Sequence, residues 1–241
     1  MAITLLGTNA GKGSSATVNL TDGITDGDLF IVCYSGDTAA STSNGNHSVR
    51  ATAAIFNNSI IDAAANNAGN VVAQIHRIVV STTKAWDGTY PYVHFNSQGV
   101  GEAVSITVYK VTGLATTPFD KSSSGTGTGT AASSGSTALL SQADEVVIGC
   151  VGGEDGGDAG DLVGVWTIND PYVHGNEQKI GTTGGGDASN VNVYSAAKIV
   201  STTGGKVAQV TGMDNIDWAA CIATYKIAAA GKPFTQAVII T

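Results

Sequence analysis

Val104-Ser-Ile-Thr-Val-Tyr-Lys-Val111 decides the fold class. Val104, Ile106 and Val108 alternate with Ser105, Thr107 and Tyr109, so successive side chains leave on opposite sides, as in a pleated strand with two different faces. The same β-branched texture recurs in Leu29–Tyr34, Val71–Val80, Glu145–Val151, Val191–Val200, Lys206–Val210 and Ala219–Ile227. Each run is bounded by Gly, Asn, Asp or Ser, the residues of turns. No stretch carries a long helical period with caps; Ala63–Ala68 could form at most a turn of helix. Many short strands separated by turn residues predict an all-β chain, an antiparallel β-sandwich of jelly-roll-like type.

The runs also repeat. Asp28–Cys33 parallels Glu145–Cys150, Arg77–Thr83 parallels Lys198–Thr203, Ile106–Val111 parallels Ile222–Ile227, and Pro118-Phe119 parallels Pro233-Phe234. The four pairs keep their order at offsets of about 115 to 121 residues, by subtraction of the positions. This predicts an internally duplicated half of about 115 residues: residues 1–120 as the first half and 138–241 as the second. Between them Lys121-Ser-Ser-Ser-Gly-Thr-Gly-Thr-Gly-Thr-Ala-Ala-Ser-Ser-Gly-Ser136 has the composition of a flexible linker, placed at 121–137. Two tandem sandwiches and one large pseudo-symmetric sandwich both fit the repeat.

Composition narrows the function. Charged residues make up only 12% of the chain, about half the usual share of roughly 25%. Small neutral polar residues take their place, which suits a surface packed against many neighbours. The 11 Lys and Arg residues form no cluster and the net charge is −8, so nucleic acid is not an expected partner. No apolar run is long enough to predict a membrane span. Met1 leads directly into Ile3–Leu6 without the basic and long apolar regions of a signal peptide, which predicts synthesis in a cytoplasm. Cys33, Cys150 and Cys221 lie far apart inside apolar runs and are expected to be small buried hydrophobes.

Four groups of residues carry possible chemistry. Glu154, Asp155, Asp158 and Asp161, on the glycine-rich loop Gly153–Asp161, are oxygen donors of the kind calcium takes, although their spacing matches no known calcium loop and an ordinary solvated acidic loop is the better explanation. Calcium is the one cofactor the sequence suggests. Asp22–Asp28 is read as turn chemistry leading into the Leu29 strand. Trp86, Tyr90 and Tyr92 could stack on a sugar, with Trp166 and Tyr172 as a second aromatic group; aromatics of this kind also fill cores, as expected for Trp218. Phe234, Val238, Ile239 and Ile240, in the apolar tail after Pro233, are candidates for an assembly arm, since an exposed hydrophobic strand aggregates unless covered. No catalytic set is expected: His47, His76, His94 and His174 match no metal-protease spacing, and no G-x-S-x-G elbow occurs.

Taken together, Gly27–Val32, Val108–Gly113 leading to Pro118-Phe119-Asp120, Ala143–Gly149, Ala197–Val200 and Asp217–Ala223 resemble a loose family of β-sandwich proteins of bacteriophage virions. Glu145-Val146 stands where that pattern has Asp-Leu. The resemblance implies a non-enzymatic virion component: a capsid decoration or cement protein that binds the major capsid protein, as a homo-oligomer with a trimer favoured. A lectin-like module on a tail fibre or surface appendage is the alternative.

Overall fold

A computed structural model describes residues 1–11, 15–37, 47–67, 70–96, 103–154, 167–168, 178–181 and 191–229. In chain order the strands are β1 (Ala2–Gly11), β2 (Ser15–Asn19), β3 (Leu29–Gly36), β4 (His47–Arg50) and β5 (Phe56–Asn58). Then come β6 (Ile60–Asn67), β7 (Val71–Val79), β8 (Tyr92–Asn96), β9 (Val104–Thr112) and β10 (Leu114–Ser133). The remainder are β11 (Asp144–Glu154), β12 (Thr167–Ile168), β13 (Gln178–Gly181), β14 (Val191–Ser201) and β15 (Gln209–Ile227). Every pairing is antiparallel, and no helix occurs among the described residues. The chain is therefore all-β and antiparallel.

Three sheets result. One has five strands in the order β1-β9-β3-β7-β6, and one has six, in the order β10-β15-β11-β14-β13 with β12 on β15. The third has four, in the order β2-β8-β4-β5. Strand β3 shows how they stack. Phe30, Val32 and Tyr34 enter a core with Val18, Val49, Val93 and Phe95 of the four-stranded sheet, whereas Ile31 and Cys33 enter a second core with Ile148, Cys150 and Cys221 of the six-stranded sheet. The five-stranded sheet thus lies between the other two and is buried on both faces. This is why Leu29–Tyr34 reads as a continuous hydrophobic run.

Strand β9 has the two different faces expected of it, and both are buried. Ser105, Thr107 and Tyr109 are fully buried, at 0% exposure, and face the six-stranded sheet. The Ser105 hydroxyl donates to the Val191 carbonyl at 2.8 Å, and the Tyr109 hydroxyl lies 3.0 Å from Ser195 Oγ. The Ser105 and Tyr109 hydroxyls thus join two sheets and do not meet water.

The contacts between the five- and six-stranded sheets are reciprocal. β15 lies over β6 and β7 while β9 lies over β13 and β14; β10 meets β6 while β1 meets β13; β3 crosses β11. At the β6–β10 side, Asn67 Nδ2 donates to the Gly127 carbonyl at 2.9 Å, so two sheet edges protect each other.

Residues 121–133, expected as linker, are instead the greater part of the 20-residue strand β10. They pair with β15 from Ser122 opposite Ala223 to Gly129 opposite Ile216, and again from Ala131 opposite Thr211 to Ser133 opposite Gln209. The Gly-Thr alternation is a strand whose inner face has no room for a side chain at Gly125 or Gly127, while Gly129 faces open space. A Cβ on Gly125 would stand 2.4 Å from the Ser133 carbonyl oxygen, and one on Gly127 would stand 2.7 Å from the Trp218 ring. Ala63–Ala68 gives no helix either. It lies largely in β6, with Ala63 and Ala65 buried and Ala64 exposed. Lys206–Val210 and Ala219–Ile227, read as separate strands, are joined from Gln209 onward as β15.

Candidate functional site

The outward face of the four-stranded sheet gathers the exposed-aromatic chemistry that the sequence singled out. Its entry loop is fixed from below. The Asp22-Gly23 turn brings Ile24 against Lys84, with backbone hydrogen bonds of 2.8 and 2.9 Å in both directions. Gly23 has φ +76°, and a Cβ there would lie 2.7 Å from the Lys84 carbonyl, so both the turn and the close approach need glycine. Asp22–Asp28 is therefore turn structure, with Asp28 Oδ2 accepting from the Thr25 amide at 2.8 Å.

Asp87 then shapes the loop. Its Oδ1 accepts from the amides of Thr89 and Tyr90 at 3.0 and 2.7 Å, and its Oδ2 pairs with Lys84 Nζ at 2.7 Å. Lys84 and the two amides hold its carboxyl down at about 2. The Leu20 amide binds the Pro91 carbonyl at 3.0 Å, and β8 begins. Val93 and Phe95 point into the core, so Tyr92, His94 and Asn96 point outward.

Tyr90 and Tyr92 stack, with ring centroids 5.2 Å apart and planes 20° apart. Tyr92 meets the His94 ring edge-on at 6.2 Å, and His94 Nδ1 lies 3.2 Å from Thr17 Oγ1. Register places Asn19 and Arg50 on either side of Tyr92, and Thr17 and Ser48 on either side of His94. The face is thus a short aromatic row flanked by hydroxyl, amide and guanidinium groups. Burial, and then the charge of Arg50, lower the His94 pKa below the usual histidine value.

Of the three expected aromatics, Tyr90 and Tyr92 come together. Trp86 is half-buried in the same loop and makes no ring contact with them among the described residues. The spacing Tyr90-x-Tyr92-x-His94 already carried the period of a strand and could have added His94 to the set. Arg50 had no such signal, because only the β4–β8 register places it there.

The other expectations fall elsewhere. Glu154 ends β11 and is buried; Asp155, Asp158 and Asp161 lie outside the described residues, as do Trp166, Tyr172, Phe234, Val238, Ile239 and Ile240. Trp218 packs beside Ala132, Val210, Met213 and Ile216.

Two ionisable groupings were not foreseen. His47 stacks on Phe95 at 4.5 Å and meets His76 edge-on at 5.0 Å, inside the core between the four- and five-stranded sheets. His76 Nε2 donates to Gln74 Oε1 at 2.8 Å and its Nδ1 accepts from Ser59 Oγ at 3.0 Å, which fits the neutral ring. Burial takes His47 down to about 4, against the opposing pull of its Asn96 carbonyl partner, and takes His76 well below its usual value. The second grouping is Asp120 with Glu145. Burial and then the neighbouring Asp120 raise the Glu145 carboxyl, although the Thr224 hydroxyl opposes this. Asp120 is held at about 2 despite burial, because the Ser141 hydroxyl and amide and Lys121 donate to it. The histidine pair sits in packed interior; the second grouping lies at the surface margin, where Glu145 is buried, Asp120 is partly buried and Ser141 is exposed.

No family model, no curated protein and no solved structure matches the chain.

Proposed function

We propose that the chain is a non-enzymatic structural protein of a bacteriophage virion, a capsid decoration protein that binds the major capsid protein through its outer surfaces. Its architecture is read as a β-sandwich built from two like halves. The observation that carries this reading is the matched strand order of the two large sheets together with their reciprocal contacts. Reciprocal contact is how two copies of one unit meet around a two-fold axis, and a chain that fuses such a pair gains a rigid block whose remaining free surface is available to neighbours. The virion assignment itself rests on the strand-pattern resemblance and on the scarcity of charge. The test is binding of the purified protein to empty shells of the particle. Saturation at a fixed ratio set by the shell's local symmetry axes supports it, and absence of binding rejects it. Removing Phe234–Thr241, the proposed arm, is expected to lower occupancy without altering the β-sheet circular dichroism.

A second reading, glycan recognition by a surface appendage, is favoured by the stacked Tyr90–Tyr92 pair and its polar surround. Aromatic faces beside hydrogen-bonding groups suit the apolar face and hydroxyl rim of a sugar ring. Retention on a glycan array that is lost in Tyr92→Ala is the expected outcome.

A further inference from the structure

We infer that residues 230–241 of the free chain lie back across the end of the six-stranded sheet, with Pro233 and Phe234 over Ile199, so that the assembly arm is held by its own chain until a partner lifts it. The inference rests on the reading of two like halves and adds a resting place for the arm.

The first half supplies the template. Where β9 ends, residues 113–118 lead into β10, and a groove of about 340 Å³ lies between them and the sheet end, lined by Leu29, Val79, Val111 and Leu114. Pro118 is buried there, and Phe119 meets the Tyr225 ring edge-on at 6.4 Å. Where β15 ends, the spacing recurs: Pro233-Phe234 starts five residues after Ala228, as Pro118-Phe119 starts five after Gly113. The two departure points touch, since the Ala228 amide donates to the Gly113 carbonyl at 2.9 Å.

The receiving surfaces correspond as well. Leu29 lies opposite Val79 and Val146 opposite Ile199, and Val79 and Ile199 are exposed to nearly the same degree, 49% and 46%. Asp144 pairs with Ser201 and Glu145 with Lys226, so Ile199 sits at the sheet end from which the tail departs. Leu139, 72% exposed, adjoins it, its neighbour Leu140 donating to the Thr203 carbonyl just past β14. Exposed aliphatic surface of this kind is stabilised by cover. Phe234, Val238, Ile239 and Ile240 are the apolar residues of the tail, and its one charged side chain, Lys232, is opposite in sign to the exposed Asp144. Reach is sufficient. Phe234 stands five residues past Ala229, about 17 Å of extended chain, and β14 lies two strand spacings from β15, about 10 Å.

The experiment is cross-linking of the whole, dilute, free chain with a short bis-maleimide, the three native cysteines being buried. Ser201→Cys with Thr235→Cys, both chosen to leave Ile199 and Phe234 in place, is expected to join within one chain. Thr116→Cys with Thr235→Cys, which reports on the first-half groove, is expected not to join. Amide exchange supplies a second readout on the unmodified protein. Residues 235–241 are expected to exchange at least about tenfold more slowly than in a free peptide of the same sequence. Ile199→Asp, at an exposed position, is expected to restore the peptide rate. Joining between two chains overturns the inference in favour of a second copy as acceptor, and preferential joining at position 116 overturns it in favour of the other groove. No joining at position 201 together with peptide-like exchange overturns it outright. None of these measurements involves a shell, so the capsid reading stands or falls separately on shell binding.

Discussion

Cys33 and Cys150 meet where β3 crosses β11, the Cys33 thiol 3.8 Å from the Gly149 carbonyl oxygen and the Cys150 thiol 3.5 Å from that of Tyr34. Each donates toward the backbone of the other's sheet. Cys221, opposite Cys150 in the β11–β15 register, donates in turn to the Ala73 carbonyl at 3.5 Å. The three thiols thus sit at the centre of the join between the two large sheets.

Thiol reactivity follows from that position. All three cysteines are fully buried and unpaired as disulfides. Burial pushes Cys33 and Cys221 well above the usual thiol range, whereas for Cys150 burial is outweighed by hydrogen bonds with Cys221, Cys33 and the backbone, which hold it below that range, so it is inaccessibility that protects Cys150. Only thiolates react readily with disulfide reagents. The folded protein is expected to show no fast-reacting thiol, and the unfolded chain to show all three cysteines of the sequence. A rapid first equivalent in the native state would mean that the join opens.

The same join is sensitive to added volume. A Cβ on Gly152 would lie 2.4 Å from Ser35 Oγ and 2.9 Å from the Val72 carbonyl oxygen, both on the facing sheet. Gly152→Ala should therefore destabilise by about 1–3 kcal/mol, the range for overpacking a tight interior. Ser124→Ala, on the exposed side of β10, is the control and should stay within about 0.5 kcal/mol. Chemical denaturation of the two variants measures the difference.

Acid should loosen the core between the four- and five-stranded sheets. The folded-state pKa values of His47 and His76 lie below the unfolded value, so the stability from keeping them neutral is intact above about pH 6.5. It is lost as the pH falls from there toward the folded value of about 4 for His47, and continues to fall below that for His76. For His47 alone the loss amounts to roughly 3 kcal/mol. Melting temperatures measured from pH 7.5 to 4.5 should decline, and His47→Phe, which keeps a ring against Phe95, should flatten the decline. An unchanged slope in that variant would remove His47 from the account.

Glu145 gives the opposite dependence. Its folded carboxyl is raised, so ionisation costs stability as the pH rises through that value. Glu145→Gln is expected to raise the melting temperature at pH 8 and to leave it nearly unchanged at pH 4, where the native side chain is already protonated. Asp120→Asn should destabilise at pH 8, since Ser141 and Lys121 lose a charged acceptor. A pH-independent effect of Glu145→Gln would point to packing alone.

The sequence made the strands legible because period-2 alternation survives in Val104–Val111 and in the apolar runs of β3, β11 and β15. What it hid was burial of polar faces. Ser105 and Tyr109 look solvent-facing by residue type, and only the partner sheet, contributed by residues far along the chain, makes them interior. Strand β10 was hidden by composition, since two of the glycines that resemble linker, Gly125 and Gly127, are there because the Ser133 carbonyl and Trp218 leave no space. At the candidate site Tyr90 and Tyr92 were visible through local spacing. Arg50 was not, because strand register is a long-range property with no local signature. The two ionisable groupings were equally invisible, each being assembled from separate strands and loops.

Gly113 ends β9 with φ +76°, in contact range of Met1, and its carbonyl accepts from the Ala228 amide at 2.9 Å. The first residue, the midpoint turn and the exit from the last strand therefore share one corner of the molecule. A tether fused at Met1 and one fused beyond Ala228 would start from nearly the same place. The remote ends of the sheets would be presented alike in both cases, and a permuted chain cut back to the described residues, ending at 229, would need only a short bridge between these two points.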